Sequence, residues 1–281
     1  MPKSNSFLTR QTKKGDEMIE IDASLIRAML RNGKRIDGRK FDEYREVYIK
    51  TGIVQQAEGS AEVKIGSTHV IAGIKMNIGT PYPDSTDKGV MSVSAEFIPF
   101  ASPEFDSGPP SEEAIELARV VDRAIRESKM IAFEKLCIKE NEHVWMVNID
   151  IDILSDSGNL IDAASLAATA ALMTAKMPIM EMINEKPVIN KEERSGNIPL
   201  TGVAVTTTFV KLGSVIVADP GLTEINAMDA RLSIGTLNGK LCSMQKGGSV
   251  GLTIEEIEQM VDMALDKGDE LRKELEKLVV E

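Results

Sequence analysis

The chain has 281 residues, a length that suits two modest domains or one large one with a substantial buried core. Its composition is 42% apolar, and no run approaches the roughly 18 apolar positions of a membrane span, so no membrane partner is expected. The two cysteines, Cys137 and Cys242, are too few for a disulfide scaffold or a thiolate zinc site. This cysteine usage fits a cytoplasmic location.

Charge is unevenly distributed along the chain. The net charge is −11, yet the first 50 residues hold 12 Lys/Arg against 8 Asp/Glu, which leaves −15 on the remainder. A globally acidic protein is a poor general binder of nucleic acid. Any such contact must come from a local basic patch, and the segment KRIDGRK with Arg35 and Arg39 is the first candidate. The alternative is an ordinary acidic protein with a basic leader.

The N-terminal 32 residues are predicted to be a leader followed by a helix. Residues 1–16 carry charges but lack the apolar stretch of a secretory signal, so a flexible leader is expected. Residues 17–32 place apolar side chains at helical spacing, and Gly33 ends the pattern.

Residues 33–186 are predicted to form the first of two α+β halves. Ser111 is expected to cap a helix that reaches Leu136, with an apolar face of Ile115, Ala118, Val121, Ala124 or Ile125, and Ile131. A strand at 144–154 then leads through the turn DSGN into an alanine-rich helix. The β-prone runs that precede the long helix are TGIVQQAEG, SAEVKIG, THVIAGIKMNIG and MSVSAEFI.

A polar, turn-rich segment at 187–199 is predicted to be the linker to a second half, residues 200–281. This half begins with β-prone runs and ends in a helix that Thr253 and Glu256 open with a capping box. The apolar stripe of that helix is expected to run from Ile254 to Leu265.

Two short strings recur in the same order in both halves. Thr51-Gly52 reappears as Thr201-Gly202, and the string VKIGS at 63–67 reappears as VKLGS at 210–214, at offsets of 150 and 147. Two β-hairpins that open two halves, each ending in a helix, indicate a duplicated α+β unit.

Three arginines of the long helix, Arg119, Arg123 and Arg126, fall on one face at spacings i, i+4 and i+7. Like charges at this spacing repel each other, which favours an anionic partner. The alternative is a solvated face that Glu116 and Glu127 partly neutralise.

The turn before the alanine-rich helix has the form of an anion site. A glycine, Gly158, precedes a helix N-terminus, where free N–H groups and the helix dipole favour negative charge. No Arg or Lys lies between residues 141 and 175, so the turn has no cation of its own. Asp162 is interpreted as a helix cap, and no set of residues shows the spacing of a metal site.

Together, the segments RIDGR, EGSAEVKIGSTHV, ELARVVDRAIR and DSGNLIDAASLAA resemble the RNase PH family over residues 33–263. Within it, the resemblance is to the non-catalytic, RNase PH-like subunits of archaeal exosomes. It implies a duplicated βαβ-type α+β fold, of the kind seen in domain 2 of ribosomal protein S5, with a pseudo-twofold repeat.

Active members of this family shorten RNA from its 3′ end by phosphorolysis, which needs a cationic cradle for phosphate and a carboxyl group as general acid. The resemblance places their phosphate-binding turn at Gly158, Asn159 and Leu160, where active members have Ser or Thr and then Arg after the glycine. It places their acidic motif at Asp219, with Gly221 where a second Asp is expected and Glu224 as a possible substitute. Both features are degenerate, so an inactive subunit without a cofactor of its own is expected.

The resemblance also implies partners. They are a catalytic RNase PH-like subunit, alternating with this one in a ring of three heterodimers, a trimeric RNA-binding cap and single-stranded RNA that the arginine face helps to guide. The complex would use inorganic phosphate and Mg²⁺. Two alternatives stay open: a self-sufficient phosphorolytic exoribonuclease or tRNA 3′-trimming enzyme, and a scaffold that never touches RNA.

Overall fold

The computed structural model describes residues 23–184 and 186–278, so the expected leader and the first predicted turns of its helix lie outside the described residues. The helices are α1 (Ala23–Arg31), α2 (Glu112–Glu127), α3 (Leu160–Thr174), α4 (Leu222–Ala227) and α5 (Ile254–Lys277), with a 3₁₀ helix at Phe133–Leu136. The strands are β1 (Val47–Thr51), β2 (Gly59–Ile65), β3 (Thr68–Gly79), β4 (Val90–Phe97), β5 (Cys137–Lys139), β6 (His143–Ser155), β7 (Lys176–Ile183), β8 (Lys186–Asn197), β9 (Val205–Leu212), β10 (Val215–Ala218), β11 (Ala230–Leu237) and β12 (Lys240–Gly247). Within these ranges, no helix is both long and apolar enough to cross a bilayer.

The strands form two large sheets and one hairpin. The first sheet has the order β1-β2-β3-β6-β4, with β5 paired to β6, and all its pairs are antiparallel except β4 with β6. The second sheet has the order β10-β9-β11-β12 and is antiparallel throughout. The third sheet is the hairpin of β7 and β8. The α+β class predicted from the sequence is therefore the observed one.

Helix α3 lies between the two large sheets, in contact with β2 and β3 on one side and with β9 on the other. Every residue from Ile161 to Leu172 is buried, as expected of a helix made mainly of apolar and small side chains. Five alanines of this helix are fully buried and allow close packing: Ala163, Ala164, Ala167, Ala168 and Ala171. Helix α5 contacts β9 and β11 in the second sheet.

Helix α1 precedes the first sheet in the chain but packs on the second. Its Ile26 and Leu30 join a buried cluster with Val210, Leu212 and Val217. Arg27 donates two hydrogen bonds to the carboxylate of Asp229, at 2.9 and 3.1 Å. The N-terminal helix thus belongs structurally with the later part of the chain.

Several predicted elements differ from the observed ones. The run TGIVQQAEG is not a strand, because Gly52 adopts φ +70° after β1 and β2 begins only at Gly59. Helix α2 begins after its predicted cap Ser111 but ends at Glu127, since Lys129 takes a left-handed conformation at φ 54°. Its buried face includes Leu117 and Val121, whereas Ile115 is 49% exposed.

The segment 187–199 is a strand and not the expected loop. Most of it belongs to β8, which pairs with β7 alone. Its polar residues are explained by this position, because a two-stranded hairpin leaves much of its surface in water. In α5 the capping box of Thr253 and Glu256 is confirmed, but Ile254 is 71% exposed and the buried stripe lies further along the helix.

The repeated strings occupy matching local positions. VKIGS spans the end of β2 and the turn into β3, and VKLGS spans the end of β9 and the turn into β10. In both turns the glycine has positive φ, 56° at Gly66 and 67° at Gly213, as tight antiparallel hairpins require. The predicted pair of hairpins is therefore present.

Candidate functional site

The predicted anion turn has a left-handed backbone at two successive residues. Gly158 has φ +93°, and Asn159, the N-cap of α3, has φ 59°. The Gly158 amide donates to Asp156 Oδ1 at 2.9 Å, so one amide of the turn is already satisfied inside the protein. The Asn159 side chain makes no capping hydrogen bond to the helix.

The two degenerate motifs lie against each other. A Cβ placed on Gly158 would lie 2.4 Å from the Leu222 amide nitrogen and 2.7 Å from the Pro220 carbonyl oxygen, so only glycine fits. The Leu222 amide donates to the Ser157 carbonyl at 3.1 Å. The site predicted from two separate stretches is therefore one contiguous structure.

Asp219, the first residue of the acidic motif, is fully buried among cations. Its carboxylate accepts hydrogen bonds from Arg45 at 2.7 and 2.8 Å, from Arg39 at 2.8 Å and from Asn159 Nδ2 at 2.8 Å. Burial alone would raise the pKa of Asp219, but Arg45 and these hydrogen bonds hold it below its usual value. Such a carboxyl group stays ionised and is unsuited to donate a proton.

Glu224, the possible substitute acid, is also engaged. Its Oε1 accepts from Arg35 Nε at 2.9 Å, and its Oε2 accepts from Arg35 Nη2 at 2.6 Å and from the Gly221 amide at 2.9 Å. The Arg35 side chain has no exposed surface and the Glu224 side chain only 5%. This is a bidentate, buried ion pair at the start of α4.

Arg35 and Arg39 were expected from the sequence to contact nucleic acid, but their guanidinium groups are hydrogen-bonded to acceptors within the protein. Besides Glu224, Arg35 donates to the carbonyls of Lys40, Glu43, Ala218 and Asp219. Arg39, with a side chain only 10% exposed, binds Asp37, the Glu43 carbonyl and Asp219. The expectation fails because these cations neutralise buried carboxylates.

Asp162 is not a helix cap. It is fully buried and accepts hydrogen bonds from Tyr44 Oη and Asn159 Nδ2, both at 2.7 Å. Thr208 donates to it twice, from its amide at 3.0 Å and its hydroxyl at 2.7 Å. Burial raises the pKa of Asp162 to about 6, and its hydrogen bonds with Tyr44, Asn159 and Thr208 oppose the rise.

The site therefore has the backbone shape of an anion turn, but its arginines are already paired with carboxylates of the chain. Two buried carboxylates, Asp162 and Asp219, lie beside the N-terminus of α3, and the Leu160 side chain packs against the apolar core. Each guanidinium nitrogen of Arg45 already has an acceptor. In the part of the chain that the structure describes, no group of three or more His, Cys, Asp or Glu could hold a metal ion.

The arginine face of α2 is exposed at all three positions. Arg119 has no polar partner among the described residues, and Arg123 donates only to the neutral Gln245 of β12, at 3.1 Å. Arg126 instead binds Asp122 in a bidentate pair, donates to the Met91 carbonyl and lies 6.0 Å from the Phe133 ring centroid. Arg119 and Arg123 are thus available to an anion, whereas Arg126 is largely committed within the protein.

Sequence reasoning missed three members of this network, Tyr44, Arg45 and Thr208. They come from a loop and a strand that the fold brings to the N-terminus of α3. One signal was available for the cluster: Asp162 is the only charged residue in a helix that is otherwise apolar or small. A lone carboxylate in such a helix indicates a buried polar network.

Comparisons with known proteins agree with this architecture. Family models described as 3′ exoribonuclease family, domain 1 and domain 2, match residues 43–178 and 202–267. The chain is similar to the exosome complex component Rrp42 of Thermococcus gammatolerans, with 48% identity over 91% of this chain and 95% of the relative. The Rrp42 of Methanothermobacter thermautotrophicus is 44% identical over 94% and 97% of the two chains.

Among solved structures, a chain of the Archaeoglobus fulgidus exosome with RNA bound to the active site superposes with a TM-score of 0.84. It is 42% identical to this chain, and the match covers 92% of this chain and 99% of that one. A chain of an archaeal exosome core matches with a TM-score of 0.79 at 39% identity, over 90% and 96% of the two chains.

Proposed function

Because this chain belongs to the RNase PH, or 3′ exoribonuclease, family, we propose that it is a non-catalytic subunit of an archaeal-type exosome. It supports the active site of a catalytic RNase PH-like partner and helps to guide RNA towards it. The relatives named as exosome components match this chain over nearly their whole length, which supports the assignment.

One observation carries the non-catalytic part of the proposal. The first residue of α3 is Leu160, where active relatives need a phosphate-binding arginine, and the nearby Asp219 and Glu224 are both held by arginines. Phosphorolysis needs a bound phosphate and a proton donor to the leaving 3′ oxygen. This chain offers neither at the matching position, so the working phosphate site belongs to the partner.

The proposal includes an assembly and its small molecules. Three copies of this chain alternate with three catalytic subunits in a hexameric ring beneath a trimeric RNA-binding cap, in the cytoplasm. Inorganic phosphate and Mg²⁺ act in the catalytic subunit. The family fold in this chain is a duplication, with residues 33–186 and 200–281 as the two related halves, and the paired VKIGS and VKLGS hairpins support that origin.

Arg119 and Arg123 form the RNA-guiding face in this proposal, with Arg126 as a secondary member. Their exposed guanidinium groups lie one helical turn apart and have no carboxylate partner among residues 23–184 and 186–278. Phosphate contacts dominate the affinity of proteins for RNA. Two such arginines are suited to hold successive phosphates of a single strand.

Crosslinking tests the RNA-guiding role. We expect the double variant Arg119→Glu, Arg123→Glu to crosslink to single-stranded RNA at least tenfold less than the wild type, because each lost cation removes a phosphate contact. The ring assembled with the catalytic partner should stay intact by analytical ultracentrifugation. Lys273→Glu, a charge reversal on the exposed side of α5, is the matched control and should crosslink normally.

The other two functions give different results in the same experiments. A scaffold that never touches RNA predicts a ring that falls apart in the double variant, with no specific loss of crosslinking. A self-sufficient phosphorolytic enzyme predicts RNA shortening by the isolated chain. The second is disfavoured by Glu224, because both its carboxylate oxygens accept from Arg35.

A further inference from the structure

A polar seam joins α3 to the second sheet through side chains that are otherwise rare in a core. The Ser165 hydroxyl donates a hydrogen bond to the Thr206 hydroxyl at 3.0 Å, and the Thr169 hydroxyl donates one to the Ala204 carbonyl at 3.0 Å. Asp162 accepts hydrogen bonds from both the amide and the hydroxyl of Thr208. Asp162 is the one ionisable member of these contacts. Its protonation state therefore bears directly on how the helix holds the sheet.

The Thr208 and Ser233 hydroxyls can arrange their hydrogen bonds to suit either the ionised or the protonated carboxyl group of Asp162. Thr208 Oγ1 lies 2.7 Å from Asp162 Oδ1 and 2.8 Å from Ser233 Oγ, and either hydroxyl of that second pair can be the donor. With Asp162 ionised, Ser233 donates to Thr208 and Thr208 donates to the carboxylate. With Asp162 protonated, the carboxyl group donates to Thr208 and Thr208 donates to Ser233.

We propose that Asp162 is a proton-responsive clasp between α3 and the second sheet, and that the Thr208 and Ser233 hydroxyls reverse their hydrogen bonds to accept its neutral form. A proton taken up from solvent stays on Asp162 Oδ1, and no bond other than hydrogen bonds changes. The clasp lies outside the RNA-guiding face, and it operates whether or not the proposed function holds.

Charged and titratable groups from every neighbouring element shape this equilibrium. Tyr44, from the loop before β1, donates to Asp162, and Asn159 bridges Asp162 to Asp219. Asp219, in the loop after β10, opposes a second negative charge, while Arg39 and Arg45 form their direct ion pairs with Asp219. From β9 and β11 the facing groups are the neutral Thr208 and Ser233.

The balance of these groups gives the direction of the pH effect. Burial raises the pKa of Asp162 from 3.8 to about 6, so the folded chain binds this proton more tightly than the unfolded chain does. The contribution of Asp162 to folding is therefore largest in acid and is lost as the pH rises through about 6. Asp219, whose pKa is lowered, acts in the opposite direction.

The test is a carboxyl ¹³C NMR titration of the full chain between pH 4 and 8, with the Asp162 signal identified by its absence in Asp162→Asn. We expect the Asp162 carboxyl signal to titrate with a midpoint near 6, and the backbone amide signal of Thr208 to change with the same midpoint. An Asp162 midpoint below 4.5, or an amide of Thr208 that does not titrate, overturns the proposal. Asp150→Asn, an exposed carboxylate of β6, is the control and should leave the midpoint unchanged.

A second measurement tests the hydrogen bond between the Thr208 hydroxyl and Asp162. Thr208→Val removes a hydroxyl that donates to the ionised form and accepts from the neutral form. The charge-assisted hydrogen bond to the carboxylate is the stronger of the two, so the Asp162 midpoint should move to higher pH, whereas Thr208→Ser should keep it. Between pH 7 and 4, the unfolding constant of the wild type should fall about 50-fold relative to Asp162→Asn. Equal midpoints in the Val and Ser variants, or parallel pH profiles for wild type and Asp162→Asn, contradict the clasp.

Discussion

A leucine and an asparagine decide what the turn before α3 can bind. The backbone keeps the form of an anion site, with left-handed Gly158 and Asn159 at a helix N-terminus. The side chains reverse its preference, because Leu160 packs into the core and Asn159 donates to two buried carboxylates. Residue chemistry, and not backbone shape, therefore accounts for the proposed loss of catalysis.

At the same scale, Glu224 is expected to be structural. Glu224→Gln should lower the free energy of unfolding by about 3 kcal/mol, because it leaves the buried guanidinium of Arg35 without a compensating charge. Urea denaturation of the full chain measures the loss. Glu258→Gln, on the exposed side of α5, is the control. A loss below about 1 kcal/mol for Glu224→Gln would contradict a structural ion pair.

Tyr44 should make the protein sensitive to alkali. Burial and the neighbouring Asp162 and Asp219 raise the pKa of Tyr44 well above 10.0, so the folded chain keeps this proton while the unfolded chain releases it. The contribution of Tyr44 to the free energy of unfolding is fully present below pH 10.0 and is lost as the pH rises beyond that value. The urea midpoint of Tyr44→Phe should therefore fall less between pH 9 and 11 than that of the wild type.

The exposed Tyr82 provides the comparison for this effect. Tyr82→Phe should reproduce the wild-type fall, because the Tyr82 side chain is 56% exposed and lies outside the buried network of Tyr44. If both variants gave the same pH profile, Tyr44 would not be the group responsible.

At the scale of elements, α3 organises the molecule through close approach. Its alanines let β2 lie so near that a Cβ on Gly59 would fall 2.3 Å from the Ala171 carbonyl oxygen and 2.7 Å from Ala175 Cα. These are backbone atoms, which cannot yield as a flexible side chain can. The many alanines of this helix keep its surface low, which allows the strand to approach so closely.

Gly59→Ala tests this close approach. The added methyl group should cost about 2 kcal/mol of unfolding free energy through overpacking between β2 and α3. Thermal or urea denaturation measures the change. Gly251→Ala is the matched control, because a Cβ there has nothing within 4 Å. Equal stability of the two variants would mean that the strand and helix can separate without cost.

Some elements could be predicted from the sequence and others could not, for identifiable reasons. The caps Ser111 and Thr253 were predicted correctly, because capping depends on residues three positions apart. The segment 187–199 was expected to be a loop but mostly forms the strand β8, since its polar composition reflects its place in an exposed hairpin. Local patterns report local geometry, whereas exposure is set by the whole fold.

The candidate site shows the same division. Gly158, Asn159, Asp219 and Glu224 were identified from motifs, and they do lie together. The roles of Arg35 and Arg39 were wrong, because their buried partners lie some 180 residues away in the chain. Arg45 and Thr208 carried no motif at all. Pairing of distant charges is a tertiary property that spacing along the chain does not encode.

At the scale of the whole molecule, the exposed arginines and the buried arginines have different roles. The net charge of −11 makes general RNA binding unfavourable, while the exposed Arg119 and Arg123 offer one local cationic face. Three other arginines, Arg35, Arg39 and Arg45, are held by the buried Glu224 and Asp219. This distribution fits the proposed subunit, which contacts RNA through α2 and depends on a catalytic partner for the phosphate site.

The most direct test of this account compares the isolated chain with its complex in phosphorolysis. Purified full-length chain, alone or with a catalytic RNase PH-like subunit, is incubated with 5′-labelled RNA, inorganic phosphate and Mg²⁺. We expect no phosphate-dependent shortening by the isolated chain and processive 3′ shortening by the complex. Phosphate-dependent shortening by the isolated chain would contradict the non-catalytic assignment.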